Sequence, residues 1–344
     1  MGGTIAPDRI LHEMADLWVS LGKQSEGDAG VLRACSMTLV VEAEESDDAQ
    51  AIGETLAALM PEHPSRAIVI RFRADDRRTL AARVFAQCWM PFGHRQQICC
   101  EQIEITATDA SIPDLAAVVL PLTAPDLPVV LWCRSPRLFH LPAFPQMAAI
   151  SQKVVLDSEA FNDPAGILKE MSAALAMGRS LADLSWTRLT RWRELIAQIF
   201  ENRAQLANLP GVSEVRISSC SKSPPVEAFY MAAWLMDGLE KIGAHARLRF
   251  DSAPGVASGE LNRVDLIARD GPDSIASIVS IASIGLVEGH AAEVRVGGLV
   301  NRAVLPRPTD YALMREELSI PGRDAVFERT LAAAAKLAAD ETRP

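Results

Sequence analysis

The feature that most constrains the fold is an early alternation of short apolar runs with a helical pattern. The run CSMTLVVE, residues 35–42, is apolar enough for a strand buried on both faces. An acidic run over residues 42–48 then supplies capping groups for a helix that continues to Met60. Pro61 ends this helix, and EHPSRAIVIRF leads into a second buried strand that begins near Arg66. This strand–helix–strand order predicts two parallel strands of one sheet.

The remainder of the N-terminal half extends this sheet. Residues 82–89 and 97–108 are strand-like runs joined by the turn-rich MPFGHRQ, which predicts a hairpin. A proline turn then feeds a fully apolar strand at residues 128–133, with a further strand in KVVLDS and a helix after it. We therefore expect an α/β domain over residues 1–180, with a Rossmann-like mixed sheet and packed helices.

The C-terminal half predicts a second, smaller α/β (α+β) domain over residues 181–344. A strand at Val212–Ser218 precedes a helix with proline at its start and glycine at its end, Pro225–Gly243. Turn-separated apolar runs follow and predict an antiparallel meander, and two terminal helices close the chain. The predicted strands of the meander are residues 244–251, 263–269, 274–284 and 293–296.

The charge of the chain excludes some classes of partner. Its net charge is -10 and its sequence pI is about 5.2, which opposes non-specific attraction to nucleic acid or to anionic lipid. No run approaches the roughly 18 apolar residues of a membrane span, and the N-terminus lacks the basic and apolar regions of a signal peptide. We therefore expect a cytoplasmic protein that binds neither nucleic acid nor membrane.

Signatures of catalysis are mostly missing. The sequence contains no phosphate-binding GxxxxGK[ST], no GxGxxG after a strand, no HExxH and no GxSxG. The histidines show no pairing typical of metal ligands, and the six cysteines lack the spacing of a zinc site. We predict no catalytic, metal or cofactor residues, although an enzyme whose residues are assembled only by the fold stays possible.

Tryptophan and arginine are concentrated in LSWTRLTRWRELIAQIF, residues 184–200, which has helical periodicity. A helix needs no arginine to bury an apolar stripe, and protein interfaces favour both residue types. The more ordinary interpretation makes the tryptophans core residues and the arginines solvated or paired within the chain. The candidate partner interface comprises Trp186, Arg188, Arg191, Trp192 and Arg193.

A second candidate site is the turn that leads into the strand near Arg66. His63, Ser65 and Arg66 offer a hydroxyl and a guanidinium that could hold a phosphate or the carboxylate of a partner. The alternative is a plain turn, with Ser65 as a cap and Arg66 paired to a neighbouring acid.

Cys99 and Cys100 are the candidate redox residues. They are adjacent in a predicted strand, so their side chains point to opposite faces and a bond between them is not expected. At most one of them would be available to a distant cysteine.

Taken together, several stretches resemble the OpcA family, the assembly proteins or subunits of glucose-6-phosphate dehydrogenase. They occur in the order of the family over nearly the whole chain, and each is weak alone. They are MTLVVE from residue 37, EHPSRAIVI from 62, CCEQI from 99, VVLPLTAPDLPVVLW from 118, WTRLTRWRELIAQIF from 186 and LPRPTDYALMREEL from 305.

The resemblance implies a non-catalytic cytoplasmic protein without cofactors. Such a protein binds glucose-6-phosphate dehydrogenase as an allosteric activator, promoting its active oligomer or its affinity for substrate in the oxidative pentose phosphate pathway. The alternative is an enzyme or sensor that binds a sugar phosphate or nucleotide at the carboxyl ends of the N-terminal strands, with Arg66 as phosphate ligand.

Overall fold

The structure of the chain is a computed structural model. It describes residues 6–24, 31–90, 97–252, 261–269, 278–287, 291–296, 298–320 and 322–341.

The chain divides into two compact units, each built from several segments. The predicted division into domains at residues 180 and 181 stays a prediction. The first unit comprises Met1–Asp157, Arg179–Ala182 and Asp310–Gly322, and the second unit comprises Ser158–Gly178, Asp183–Thr309 and Arg323–Pro344.

Strands and helices alternate through the first half of the chain, and strands dominate residues 212–304. The strands are β1 (Val31–Arg33), β2 (Met37–Glu44), β3 (Ser65–Arg73), β4 (Leu80–Trp89), β5 (Gln97–Thr108), β6 (Val129–Cys133), β7 (Lys153–Leu156), β8 (Leu181–Asp183), β9 (Val212–Ser219), β10 (Arg247–Ser252), β11 (Leu261–Arg269), β12 (Ile278–Val287), β13 (Ala291–Val296) and β14 (Leu299–Val304). The α-helices are α1 (Pro7–Gln24), α2 (Ala49–Leu59), α3 (Leu115–Val119), α4 (Pro136–Phe139), α5 (Phe144–Ala149), α6 (Pro164–Ala176), α7 (Leu184–Arg188), α8 (Thr190–Phe200), α9 (Arg203–Leu206), α10 (Val226–Lys241), α11 (Asp310–Ser319) and α12 (Ala325–Glu341).

The first sheet is eight-stranded and mostly parallel. Its order is β1-β5-β3-β2-β6-β7-β8, with β4 paired to β5. Strand β2 pairs in parallel with both β3 and β6 and is buried along nearly its whole length, as its apolar sequence predicts. Strands β4 and β5 form the predicted antiparallel hairpin, whose connection at residues 91–96 lies outside the described residues. The predicted Rossmann-like sheet is therefore confirmed.

The strand order reverses direction between β2 and β6. From β2 the chain crosses to β3 on one side, and after β5 it returns to β6 on the other side of β2. In open α/β sheets, the carboxyl ends of the strands at such a reversal are the usual place for a ligand crevice. Residues there are Glu42 and Glu44 of β2 and Cys133 of β6.

The second sheet is a mixed sheet with the order β10-β9-β11-β12-β13-β14. The antiparallel meander is confirmed for β11, β12 and β13, and a strand that was not predicted, β14, extends it by pairing with β13. The prediction is wrong for β10, which pairs in parallel with β9 after the crossover helix α10. Phe229 of α10 packs against Phe250 of β10, with ring centroids 5.3 Å apart, so α10 lies on the face of the sheet that carries Phe250.

One buried carboxylate, that of Asp183, organises the second unit at the start of α7. Its Oδ1 accepts hydrogen bonds from the backbone N–H groups of Ser158 and Ser185, each at 3.0 Å. Its Oδ2 accepts from the hydroxyls of Ser158 and Tyr230, the latter at 2.7 Å. Burial, reinforced by the charge of Asp183, raises the pKa of the Tyr230 hydroxyl well above its ordinary value. The hydroxyl therefore stays protonated and donates.

We predict that Tyr230→Phe lowers the free energy of unfolding by about 1.5–3 kcal/mol, because it removes a buried hydrogen bond to a charged acceptor. Urea unfolding at pH 7 measures the change. The matched control is Tyr311→Phe in α11, the other of the two tyrosines, whose hydroxyl donates no hydrogen bond within the described residues. An equal loss in both variants would contradict the role given to the Tyr230 hydroxyl.

Candidate functional site

The predicted anion-binding turn is already engaged within the first unit. Arg66 is 4% exposed; its Nε donates to Glu101 Oε2 at 2.6 Å and its Nη1 donates to the Leu122 carbonyl at 2.8 Å. Ser65 is buried as the first residue of β3, and His63 precedes it. Arg66 is thus paired with an acid, as the plain-turn alternative expects. Anion binding at this turn stays a prediction.

Arg66 also lies at the wrong end of its strand for the sugar-phosphate alternative. Strand β3 begins at Ser65 and runs parallel to β2. Arg66 is therefore at the amino edge of the sheet, whereas that alternative requires it at the carboxyl edge.

The segment of residues 184–200 forms two helices, α7 and α8, which meet at Leu189, rather than the single predicted helix. Trp186 is 4% exposed and contacts Tyr230 and Phe327. The guanidinium carbon of Arg193 lies 3.5 Å from the centroid of the Trp186 ring, and Arg193 also donates to the Trp186 carbonyl at 2.8 Å. Trp192 is buried as well. These side chains pack within the second unit.

The two other arginines of the segment differ in exposure. The Arg188 side chain is 12% exposed and lies 3.1 Å from Glu159 Oε2 and 3.4 Å from Glu227 Oε1. The Arg191 side chain is 50% exposed and pairs with Glu194 at 2.8 Å. Of the five residues proposed as a partner interface, Arg191 is the one that presents its side chain openly to solvent, and the interface itself stays a prediction.

The two candidate redox cysteines have different states. Cys99 is disulfide-bonded to Cys88 directly opposite on β4, and Cys99 and Cys100 are not bonded to each other, as the sequence predicts; redox control itself stays a prediction. The neighbouring Cys100 is free and buried, and burial raises the pKa of its thiol to about 11. Since the thiolate is the reactive form, Cys100 is poorly suited to redox chemistry in this state.

Sequence reasoning missed an ionisable group at the carboxyl ends of β2 and β6. Glu42 is 3% exposed beside Cys133, and no described residue hydrogen-bonds to its Oε2. Burial raises the pKa of Glu42 to about 8, and a hydrogen bond with the Cys133 thiol opposes this only partly. Next to it, Glu44 accepts hydrogen bonds from Ser135 at 2.7 Å and Arg137 at 2.8 Å. The sequence signal was a carboxylate inside the apolar run MTLVVE.

Sequence reasoning also missed a charged surface, which is the face of the second sheet that α10 does not cover. Buried apolar side chains in register across the sheet, such as Ile217 and Val264, share the face of Phe250. The alternate residues carry charge on the other face, which we call the arginine face. It comprises Arg216, Arg249, Arg263, Arg295 and Arg302, with the carboxylates Glu214, Asp251, Asp265 and Glu293.

The arginine face directs guanidinium groups outward. Its arginine side chains are from 31% to 77% exposed, whereas its carboxylates are from 10% to 29% exposed. The hydrogen bonds that Arg249 and Arg263 donate to Asp251 and Asp265 raise the pKa values of these two arginines, and the hydrogen bond that Arg295 donates to Glu293 lowers the pKa of that carboxyl. Because the arginine side chains are the more exposed of the two sets, an approaching partner meets mainly arginine.

The described residues contain no cluster of histidine, cysteine or carboxylate side chains that could hold a metal ion. No helix in the same ranges combines the length and apolar character that crossing a membrane requires.

Fold and site together define a two-sheet α/β protein, with a parallel-dominated sheet, a separate mixed sheet and an outward arginine face. The model of the N-terminal domain of glucose-6-phosphate dehydrogenase subunits matches residues 57–173, and the model of their C-terminal domain matches residues 179–331. The chain belongs to this family, the OpcA family.

Two similar curated proteins are each named OxPP cycle protein OpcA. The protein of Synechocystis sp. is 24% identical over 255 residues, which is 73% of this chain and 52% of the relative. The protein of Nostoc punctiforme is 30% identical over 181 residues, which is 52% of this chain and 38% of the relative. The chain thus spans about half the length of the Synechocystis relative and less than half the length of the Nostoc punctiforme relative.

Among solved structures, a biliverdin reductase from Synechocystis sp. matches 88% of this chain and 98% of its own, with a TM-score of 0.46 and 13% identity. A dehydrogenase from Chromobacterium violaceum matches 89% and 94%, with a TM-score of 0.44 and 10% identity. These similarities are too weak to carry an argument about activity.

We predict that Glu42→Gln stabilises the protein near pH 8 but not near pH 4.5. Below the ordinary pKa of 4.5, both the folded and the unfolded chain hold the proton. Between that value and about 8, only the folded chain keeps it, so stability falls with rising pH by at most about 1.4 kcal/mol per unit. Glutamine removes this loss because it does not ionise.

Urea unfolding at pH 5, 6.5 and 8 measures the difference between Glu42→Gln and the unsubstituted protein. The control is Glu54→Gln, at an exposed position of α2. A stability difference for Glu42→Gln that does not grow with pH would contradict the raised pKa.

Proposed function

We propose that this protein is a non-catalytic cytoplasmic partner of glucose-6-phosphate dehydrogenase that acts in the oxidative pentose phosphate pathway. The single observation that carries the proposal is the match of both subunit domain models, in order, over residues 57–173 and 179–331. Both models describe domains of a subunit of that dehydrogenase, which supports association.

The mechanism we propose is linkage between two binding equilibria. If the protein binds the active oligomer of the dehydrogenase more tightly than the inactive form, that difference in affinity shifts the population towards the active form. A tenfold shift needs a difference of only about 1.4 kcal/mol in binding free energy. One or two well-placed side chains supply energies of that size.

Two surfaces of the second unit are the proposed contacts. The first is helix α8, where Arg191 is exposed. The second is the arginine face, whose outward guanidinium groups suit the carboxylates of a partner because arginine pairs with carboxylate through two parallel hydrogen bonds. Arg249 and Arg302 are 63% and 77% exposed and lie on the two edge strands of the sheet.

We predict that this protein changes the kinetics of the glucose-6-phosphate dehydrogenase from the same organism while showing no dehydrogenase activity alone. Initial rates across substrate concentrations, with and without the protein, should show a lowered half-saturation or a raised maximal rate. Sizing of the mixture should show a complex. Identical rates together with the absence of a complex would remove the proposal.

Charge reversal distinguishes the two surfaces. Surface ion pairs contribute little to stability, so Arg191→Glu, Arg249→Glu and Arg302→Glu should all fold. We expect Arg249→Glu and Arg302→Glu to weaken the complex at least tenfold if the arginine face makes the contact, and Arg191→Glu to do so if α8 makes it. Arg329→Glu, an exposed position of α12, controls for the change in net charge. Unchanged affinity in all three test variants would exclude both surfaces.

A further inference from the structure

A groove in the first unit is not used by any interaction described above. Helix α2 forms one wall through Ala49, Ile52 and Gly53, and strands β3, β4 and β5 form the floor. It encloses about 290 Å³, which is suited to a small metabolite. Its floor contains Val69, Arg71, Arg83, Phe85, Gln87, Gln102 and Glu104.

Two glutamine amides in the groove are without partners among the described residues. Gln102 is 8% exposed and lines the groove, yet no described residue hydrogen-bonds to its amide. Gln87 on the adjacent strand lines the same groove, and its amide is likewise not hydrogen-bonded within the described ranges. Gln87 is half-buried, and because both glutamines line the open groove, their amides are available to hydrogen-bond the hydroxyl or carbonyl groups of a bound molecule.

The charges in the groove leave one cation in excess. Arg83 is ion-paired with Glu104 opposite to it, and this pair is neutral overall. Arg71 donates its Nη2 only to the backbone carbonyls of Glu45 and Asp47, each at 2.9 Å. No carboxylate among the described residues is within ion-pair distance of Arg71, so its charge is available to an anion.

The remaining lining leaves space for a carbon skeleton. Phe85, Val69 and Ile52 provide apolar surface, and a Cβ added to Gly53 would meet nothing within 4 Å. An apolar wall, two amides and one uncompensated guanidinium are the groups that hold a small hydroxylated anion.

We propose that this groove binds a small metabolite with an anionic group, a phosphate ester or a carboxylate, on a hydroxylated carbon skeleton. Arg71 holds the anion, and the amides of Gln87 and Gln102 bind the hydroxyl groups. The proposal does not rest on association with the dehydrogenase, since it is tested on this protein alone.

Titration calorimetry on the full chain tests the ligand class with four probes: a hexose phosphate, a hexonate, the free hexose and inorganic phosphate. We expect saturable binding of the hexose phosphate or the hexonate, and the tighter of the two identifies the anion. The free hexose and inorganic phosphate should bind at least tenfold more weakly, because each lacks one half of the contacts. No binding of either hexose-derived anion, or equal binding of the free hexose, would overturn the proposal.

Two variants test the place of binding. Gln102→Leu removes the amide, and Gly53→Leu fills the groove from a helix in which leucine is favoured over glycine. We expect each to raise the dissociation constant of the bound probe at least tenfold while the ligand-free protein unfolds at an unchanged or higher urea concentration. A merely structural role of these positions would instead lower stability.

The matched controls make the same changes outside the groove. Gln97→Leu is an exposed position of the same strand as Gln102, and Gly238→Leu is an exposed position of helix α10 with open space around it. Both should bind the probe as the unsubstituted protein does. Unchanged binding in Gln102→Leu and Gly53→Leu would place the ligand elsewhere and overturn the proposal.

Discussion

The second unit depends on the buried carboxylate of Asp183. Because its two oxygens accept four hydrogen bonds, it fixes Ser158, the first turn of α7 and the hydroxyl of Tyr230 on α10 at once. Helix α10 in turn packs on β9 and β10, so the sheet that carries the arginine face is positioned through this one acceptor. In a low-dielectric interior, such a network is favourable only when every member is satisfied, and here each hydroxyl and N–H finds its acceptor.

The arginines of this chain have two physically different roles, one structural and buried, the other exposed to solvent. Arg66 is buried and donates to Glu101 and to the Leu122 carbonyl within the first unit, so it serves to fix β3 against β5. On the arginine face, each carboxylate lies beneath its arginine, and the guanidinium keeps exposed donors. A guanidinium has five N–H donors in a fixed fork, so pairing with one acid within the chain still leaves donors for a partner.

Periodicity predicted the strands that lie within apolar runs, such as β2, β3 and β6, because burial on both faces leaves a direct trace in the sequence. It did not predict β14, whose Leu299 and Val304 are both 71% exposed, since an open edge strand has no buried face to mark it. Nor did it identify the partner of β10, because pairing is decided by the crossover and not by the strand itself.

Tryptophan and arginine in residues 184–200 are typical both of a core and of an interface, so the sequence alone could not show which of these side chains are buried. The groove brings Arg71, Gln87 and Gln102 together from three strands, so no local spacing could reveal it.

The groove and the proposed association with a dehydrogenase belong to different units, yet thermodynamics relates them strictly. If a ligand in the groove changes the affinity for the dehydrogenase by some factor, the dehydrogenase must change the affinity for that ligand by the same factor. A ligand that binds the free and the associated protein equally well shifts nothing, however tightly it binds. Occupation of the groove is therefore not regulation in itself. It becomes regulation only if the contacts of Arg71, Gln87 and Gln102 with the ligand differ between the free protein and the complex.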